Sequence, residues 1–203
     1  SATTFEPDTP MTRAMFVTIL GRTAGIEVEL SASSRFSDVP DGQWYTPYVA
    51  YSDENGIVKG YSDTVFAPDD MVTEEQALVI VRRFCDVMGI VLDWNTASLT
   101  YIGNLSDWAS DDVMTMTGAG YVHGHRGDGV LYPDSPATRA FAAELITLVS
   151  EKLTEQNEKY DALSENDIAT AMLALKSDYP EGMSWTNADY YEWKGGVFSG
   201  GYG

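Results

Sequence analysis

The sequence predicts a mainly α-helical fold built from a repeated unit, and two observations predict it. Three segments, residues 5–13, 66–74 and 131–139, share an apolar first residue, Pro-Asp at the third and fourth positions and Thr at the eighth. Each segment leads into apolar residues at helical spacing, such as Phe16, Ile19 and Leu20 after the first. The segments start 61 and then 65 residues apart. Self-similarity at a nearly constant period indicates a repeat architecture.

A second pattern precedes two of these segments. A Trp stands twelve residues before a Gly, a second Gly follows four residues later, and the residues after the Trp suit a helix. The first Gly suits a helix end that needs a positive φ, and the second opens a turn with strand-like residues after it. The positions are Trp44, Gly56 and Gly60 in one unit and Trp108, Gly120 and Gly124 in the next.

These patterns divide the chain into five segments. Residues 1–30 form the second half of a first repeat, 31–90 a second repeat and 91–153 a third. Residues 154–172 are a linker with a helix, and 173–203 are a Gly-rich aromatic tail. Because the first repeat lacks its Trp-helix, we expect the stripe of Phe16, Ile19 and Leu20 to need another cover. The other two units, the aromatic tail or a separate peptide completing repeat 1 would supply it, and we expect the tail or another polypeptide.

Composition excludes several classes of partner. The chain has 203 residues, 44% hydrophobic, with 12 Lys plus Arg against 31 Asp plus Glu and a formal charge of -19. Such a charge disfavours nucleic acids and anionic membrane surfaces, and no apolar run is long enough for membrane insertion. Cys85, the single cysteine, shares a helical face with apolar residues and is expected to be buried. No metal-ligand spacing is present, so we expect neither a metal nor a cofactor.

Two of the Thr positions precede an arginine, and this predicts an anion site. Thr12 and Thr138 suit helix N-caps, which makes Arg13 and Arg139 the first helical residues. A cation there opposes the helix dipole, so stability alone would not favour it. Free backbone N–H groups and a guanidinium together could bind a carboxylate or phosphate. Alternatively, each arginine pairs with a neighbouring aspartate.

The second unit departs from this pattern. Thr73-Glu74-Glu75-Gln76 is a capping box, with Gln76 three residues after the Thr. It puts two acids where an anion would bind, so no anion site is expected there.

Taken together, these motifs resemble the S-layer homology family over about residues 1–153. The motifs are Phe36-Ser-Asp-Val39, the Gly56 and Gly60 pair with Tyr61, the Pro-Asp segments, and the Thr-Arg-Ala triplets. The resemblance implies three repeats in a pseudo-threefold helical spindle. It also implies non-covalent, extracellular attachment to anionic, often pyruvylated, secondary cell-wall polysaccharide of Gram-positive bacteria.

The resemblance gives the two tryptophans two interpretations. Trp44 and Trp108 could stack on sugar rings, but their equivalent positions in the repeat favour packing in the core. Gly60 and Gly124 join them as candidate ligand-binding positions.

The tail has a different character. Residues 173–203 resemble the entry of papain-like peptidase and amidase domains, but no cysteine nucleophile or partner histidine lies in them. We therefore expect the chain itself not to be an enzyme. Two alternatives to cell-wall anchoring stay open: a fragment of a surface-tethered cysteine hydrolase whose catalytic part lies beyond Gly203, and a protein–protein interaction module.

Overall fold

The computed structural model describes residues 5–92, 100–101, 103–120 and 130–162. Its helices are α1 (Arg13–Thr23), α2 (Thr46–Glu54), α3 (Glu74–Val87), α4 (Ser110–Gly118) and α5 (Arg139–Asp161). The described residues contain only isolated β-bridges and no β-strand. The mainly α-helical class is therefore confirmed, with the strand-like turns reduced to bridges such as Ser62 with Val65.

The chain divides into two compact units. Residues 1–157 form the first unit and residues 158–203 the second. Of the second unit, the structure describes only residues 158–162, which contain the end of α5.

Three equivalent backbone positions, one from each repeat, close a ring of hydrogen bonds. The N–H of Met11 donates to the carbonyl of Ala137 at 3.0 Å, and the N–H of Ala137 donates to the carbonyl of Val72 at 2.8 Å. The N–H of Val72 donates to the carbonyl of Met11 at 3.0 Å and completes the ring. The three side chains are buried. Each repeat therefore donates one bond and accepts one, which is the bonding expected of a pseudo-threefold arrangement.

The loops and helix starts also interlock in cyclic order, with donors and acceptors running in the direction opposite to that of the ring. The first two N–H groups of each long helix donate to two carbonyls of the Pro-Asp loop of another repeat, at 2.9–3.1 Å. A third N–H donates to the hydroxyl of the preceding Thr, which is the predicted N-cap. The loop carbonyls belong to Pro68 and Asp70 for α1, Pro133 and Ser135 for α3, and Pro7 and Thr9 for α5.

The Trp-helices cover the preceding long helix, and this corrects the expectation for repeat 1. Helix α2 packs on α1, and α4 packs on α3. Phe16 and Leu20 of α1 are buried, whereas Ile19 is 42% exposed and does not belong to the buried stripe. Of the covers expected for α1, the structure shows another unit, because α2 of repeat 2 lies there, and the narrower expectation of the tail or another polypeptide is wrong. The order of elements in the sequence predicts that each Trp-helix covers the long helix that follows it, whereas the structure places it on the one before.

Gly21 shows how closely α2 approaches α1. A Cβ atom added at Gly21 would lie 2.8 Å from the ring of Tyr48 on α2. Arg22, one residue further along α1, lies over the same ring at 5.5 Å from its centroid. The small residue therefore allows the tyrosine ring to pack directly on the α1 backbone.

The sequence features that end helices are also confirmed. Gly56 and Gly120 have φ values of +70° and +79° and follow the last residues of α2 and α4, as their spacing from the tryptophans predicted.

Cys85 is buried in the core, and burial raises the pKa of its thiol to about 12. The thiol is therefore protonated at neutral pH and is structural.

The hydrogen-bond ring predicts the effect of removing one donor. Ala137→Pro deletes the N–H that bonds to Val72, and we expect it to lower the free energy of unfolding by about 3 kcal/mol. Ala137→Gly keeps that N–H and should cost only about 0.5–1 kcal/mol. Urea unfolding of the two variants measures the difference. Equal losses in both variants would contradict a structural role for the ring.

Candidate functional site

A groove lies where repeats 1, 2 and 3 meet on the surface of the first unit. Its volume is about 530 Å³, within the range of sites for small organic ligands. It is lined by α3 and by the turn that leads out of α2, together with Arg13 and Trp108. The lining residues are Arg13, Val58, Lys59, Gly60, Tyr61, Glu75, Gln76, Val79, Ile80, Arg83 and Trp108.

Arg13 is the most constrained cation of this groove. Its side chain is buried, with Nε donating to the carbonyl of Phe66 at 2.9 Å and Nη2 donating to that of Lys59 at 3.1 Å. The guanidinium also lies over the rings of Tyr61 and Phe66, 4.7 and 4.6 Å from their centroids. Burial lowers the pKa of Arg13, but an arginine titrates so far above neutral pH that it stays charged. Arg13 thus contacts the connection between α2 and α3 at three residues and brings a fixed positive charge to the groove.

The predicted surroundings of Arg13 need two corrections. The backbone N–H groups at the start of α1 are not free, because those of Arg13 and Ala14 donate to loop carbonyls. The helix N-terminus therefore does not offer its first amides to an anion. Among the described residues, Arg13 also makes no hydrogen bond to an aspartate, which was the alternative. Its acceptors there are two carbonyls and Gln76.

The groove carries more positive than negative charge, in contrast to the chain as a whole. Among the described residues that line it are Arg13, Lys59, Arg83 and one carboxylate, that of Glu75, and Arg83 pairs with Asp112 at 3.6 Å. This carboxylate accepts two hydrogen bonds from Ser106, one from its N–H at 2.9 Å and one from its hydroxyl at 2.8 Å. Its charge is therefore partly balanced by two donors of repeat 3. The groove is a local cationic site on a chain of formal charge -19.

The two tryptophans lie at the surface, so the expectation that they pack in the core is wrong. Trp108 is 56% exposed and lines the groove, and Trp44 is 49% exposed. Trp44 contacts Tyr45 edge to face, with ring centroids 5.2 Å apart, but does not line this groove. Both tryptophans have the same position in the repeat pattern. That pattern does not tell which face of a unit is exposed to solvent.

Gly60 lies in the groove wall, where no side chain fits. A Cβ atom added there would lie 2.4 Å from the carbonyl oxygen of Val65 and 2.6 Å from the ring of Phe36. Gly60 therefore permits the tight turn that brings Lys59 and Tyr61 to Arg13. Its counterpart Gly124 lies outside the described residues.

The remaining predicted residues divide between structure and surface. Thr12 and Thr138 act as N-caps, each accepting a hydrogen bond from the N–H three residues later, at 3.2 and 3.3 Å. Arg139 is exposed, unlike Arg13, and its guanidinium lies 5.4 Å from the ring centroid of Phe5. The structure therefore does not bring Arg139 into the groove of Arg13, and the two equivalent arginines differ in environment.

Glu74 replaces the arginine in the second unit and supports the fold. Its side chain is buried, and its carboxylate accepts a hydrogen bond from the N–H of Tyr132 at 2.8 Å. At the equivalent loop position of repeat 2, the N–H of Ala67 donates instead to Asp38 at 2.6 Å. In these two repeats a carboxylate accepts the N–H at this loop position, but it comes from a different part of the chain in each.

Sequence reasoning missed Lys59, Tyr61, Gln76 and Arg83 as groove residues. Tyr61 belongs to the Gly motif and Gln76 to the capping box, and neither pattern indicates a groove. Lys59 and Arg83 belong to different elements, and only the folded chain brings them together. Within the described residues, no cluster of His, Cys, Asp and Glu could hold a metal ion, and no helix has both the length and the apolar content to cross a membrane.

Comparison with known proteins agrees with the repeats. The S-layer homology domain model matches residues 35–78 and 102–142. The chain is 32% identical over 152 residues to an amylopullulanase of Thermoanaerobacterium thermosulfurigenes, covering 74% of the chain and 8% of that protein. It is 26% identical over 179 residues to a surface-layer 125 kDa protein of Lysinibacillus sphaericus, covering 87% of the chain and 15% of that protein.

A third relative is named as an anchoring protein. A cellulosome-anchoring protein of Acetivibrio thermocellus is 26% identical over 117 residues, which cover 54% of the chain and 25% of that protein. The chain therefore spans a quarter or less of these three relatives, and they share this segment although their names differ. Together with the matched repeats, these likenesses show that the chain contains S-layer homology repeats and belongs to that family in this part of its sequence.

Proposed function

We propose that this chain is a non-covalent anchor that attaches a bacterial surface protein to the cell wall. The family match supports this, as do the relatives named as a surface-layer protein and a cellulosome-anchoring protein. The partner is a secondary cell-wall polysaccharide, and the location is extracellular, at the cell surface. The activities of larger proteins that carry such a segment reside elsewhere in their chains, so this segment itself is not an enzyme.

The observation that carries the proposal is the cationic groove on an acidic protein. Arg13, Lys59 and Arg83 suit a polymer that bears carboxylates, such as pyruvylated sugars, because charge-assisted hydrogen bonds to guanidinium and ammonium groups are strong. The exposed face of Trp108 offers apolar surface to a sugar ring beside these cations. The groove thus combines the two kinds of contact that an anionic glycan needs.

Each earlier candidate has a role in this proposal. Thr12 fixes the start of α1, so that Arg13 enters the groove, and Gly60 keeps the turn tight. Arg139, with Thr138 as its cap, and Trp44 are candidates for a further contact outside this groove. Gly124 is the candidate for the turn in repeat 3.

The groove predicts which surface changes weaken binding. Arg83→Ala and Trp108→Ala should each reduce binding to purified Gram-positive peptidoglycan sacculi, the arginine by about tenfold, since a charge-assisted hydrogen bond contributes about 1.5–3 kcal/mol. Arg13→Ala and Arg139→Ala should also weaken binding, and thermal melting will separate lost binding from lost stability at the buried Arg13. Co-sedimentation before and after acid extraction of the secondary polymers measures the effect.

Two matched variants control for the change of residue type. Arg35→Ala removes a cation that pairs with Asp53 outside the groove, and Tyr101→Ala removes an exposed aromatic outside the groove. Both should bind as the unmodified chain does. Undiminished binding of an Arg83 and Trp108 double variant, or equal binding to extracted sacculi, would contradict the proposal.

The net charge predicts an unusual salt dependence. At -19 the whole chain repels an anionic polymer at long range, and salt screens long-range repulsion more than contacts inside a groove. Raising the salt from about 10 to 150 mM, which shortens the screening length from about 30 to 8 Å, should leave the affinity unchanged or improve it. Titrations of released polysaccharide measured by calorimetry test this. A steep loss of affinity over this range would show that long-range attraction dominates.

A further inference from the structure

Gln76 joins three parts of the groove through one amide group. Its Oε1 accepts from Nη1 of Arg13 at 3.2 Å and from the N–H of Thr73 at 3.4 Å, and its Nε2 donates to the hydroxyl of Tyr61 at 3.4 Å. The capping box requires only the bond to Thr73. The other two bonds reach residues of repeat 1 and of the turn after α2, and therefore they do more than cap α3.

The equivalent residues of the other repeats cannot make these bonds. Met15 occupies this position on α1, where it is 45% exposed, and Phe141 occupies it on α5. Neither side chain has a hydrogen-bonding oxygen that could hold a guanidinium. The amide at position 76 is thus particular to the groove in which Arg13 lies.

The contacts of Arg13 among the described residues leave its charge uncompensated at close range. Its hydrogen-bond acceptors there are two backbone carbonyls and the amide of Gln76, all of them neutral. Asp38 and Asp70 act on it only through space. A carboxylate at position 76 would lie at hydrogen-bond distance from Nη1 and would form an ion pair with Arg13. The neutral amide holds the guanidinium in the same place without that pairing.

We propose that Gln76 is a positioning residue that sets the charge selectivity of the groove, holding Arg13 toward a bound carboxylate without neutralising it. This inference rests on the proposed binding of an anionic wall polysaccharide. The groove then favours a carboxylate-bearing glycan over its neutral counterpart. Of the other charged groups that line it, Arg83 pairs with Asp112 at 3.6 Å and Glu75 accepts from Ser106. Together with Lys59 they set the remainder of its potential.

The substitution Gln76→Glu tests this inference with little change to the fold. Glu and Gln serve equally at this position of a capping box, so the melting temperature should not fall. The probe is acid-released secondary wall polysaccharide from Gram-positive sacculi, used as isolated and after carbodiimide amidation of its carboxyl groups. Calorimetry gives the dissociation constant of each protein with each form of the polymer.

The added charge at position 76 should change binding by an amount that depends on the charge of the polymer. Gln76→Glu should weaken binding of the native polymer by about tenfold and leave binding of the amidated polymer nearly unchanged, because only a charged ligand loses an available cation. Thr147→Glu adds the same charge at an exposed position on α5 outside the groove and should change neither. Gln76→Met, which removes the amide, should reduce the preference for the native polymer as well.

Two results would overturn the inference. An equal loss for both forms of the polymer in Gln76→Glu would mean that position 76 is only structural, and no loss for either would mean that Arg13 is not aimed at the ligand. If the unmodified chain bound neither form, the proposed function itself would fail. If it bound both forms equally, the preference for an anionic polymer would fail, whatever the variants do.

Discussion

The ring of three backbone hydrogen bonds is the constraint on which the rest of the structure depends. Since each repeat donates one bond and accepts one, the repeats must meet at a common point. The same geometry directs the loop carbonyls of one repeat onto the helix start of another, which satisfies N–H groups that side chains or water would otherwise bond. Each long helix therefore begins next to a loop of another repeat. The first helical side chain is buried in two repeats and exposed in the third.

This constraint also explains why equivalent residues have diverged. Arg13 enters a groove and holds two carbonyls, whereas Glu74 accepts an N–H of the loop of repeat 3. The backbone frame is the same, and only the side chain and its partners differ. A threefold frame can thus carry a cationic groove at one position and a purely structural contact at another.

Much of the fold could be predicted from the sequence because its signals are local. Thr caps, Gly at helix ends and apolar spacing depend on a few neighbouring residues, and the structure confirms them at Thr12, Thr73 and Gly56. Packing between elements could not be predicted in the same way. The sequence order suggested that each Trp-helix covers the next long helix, but it covers the previous one, and Trp108 faces outward. The groove combines residues up to 95 positions apart, Arg13 and Trp108 among them, and no spacing rule joins those.

The proposed anchor binds its anionic wall polysaccharide in the groove of Arg13, Gln76 and Trp108. Amide and indole nitrogen-15 spectra of this 22.2 kDa chain, recorded during titration with acid-released polysaccharide, test it most directly. We expect the largest shifts on the Trp108 indole N–H and on the backbone amides of Lys59, Tyr61 and Gln76. Shifts confined to other surfaces, with these four signals unchanged at saturation, would contradict it.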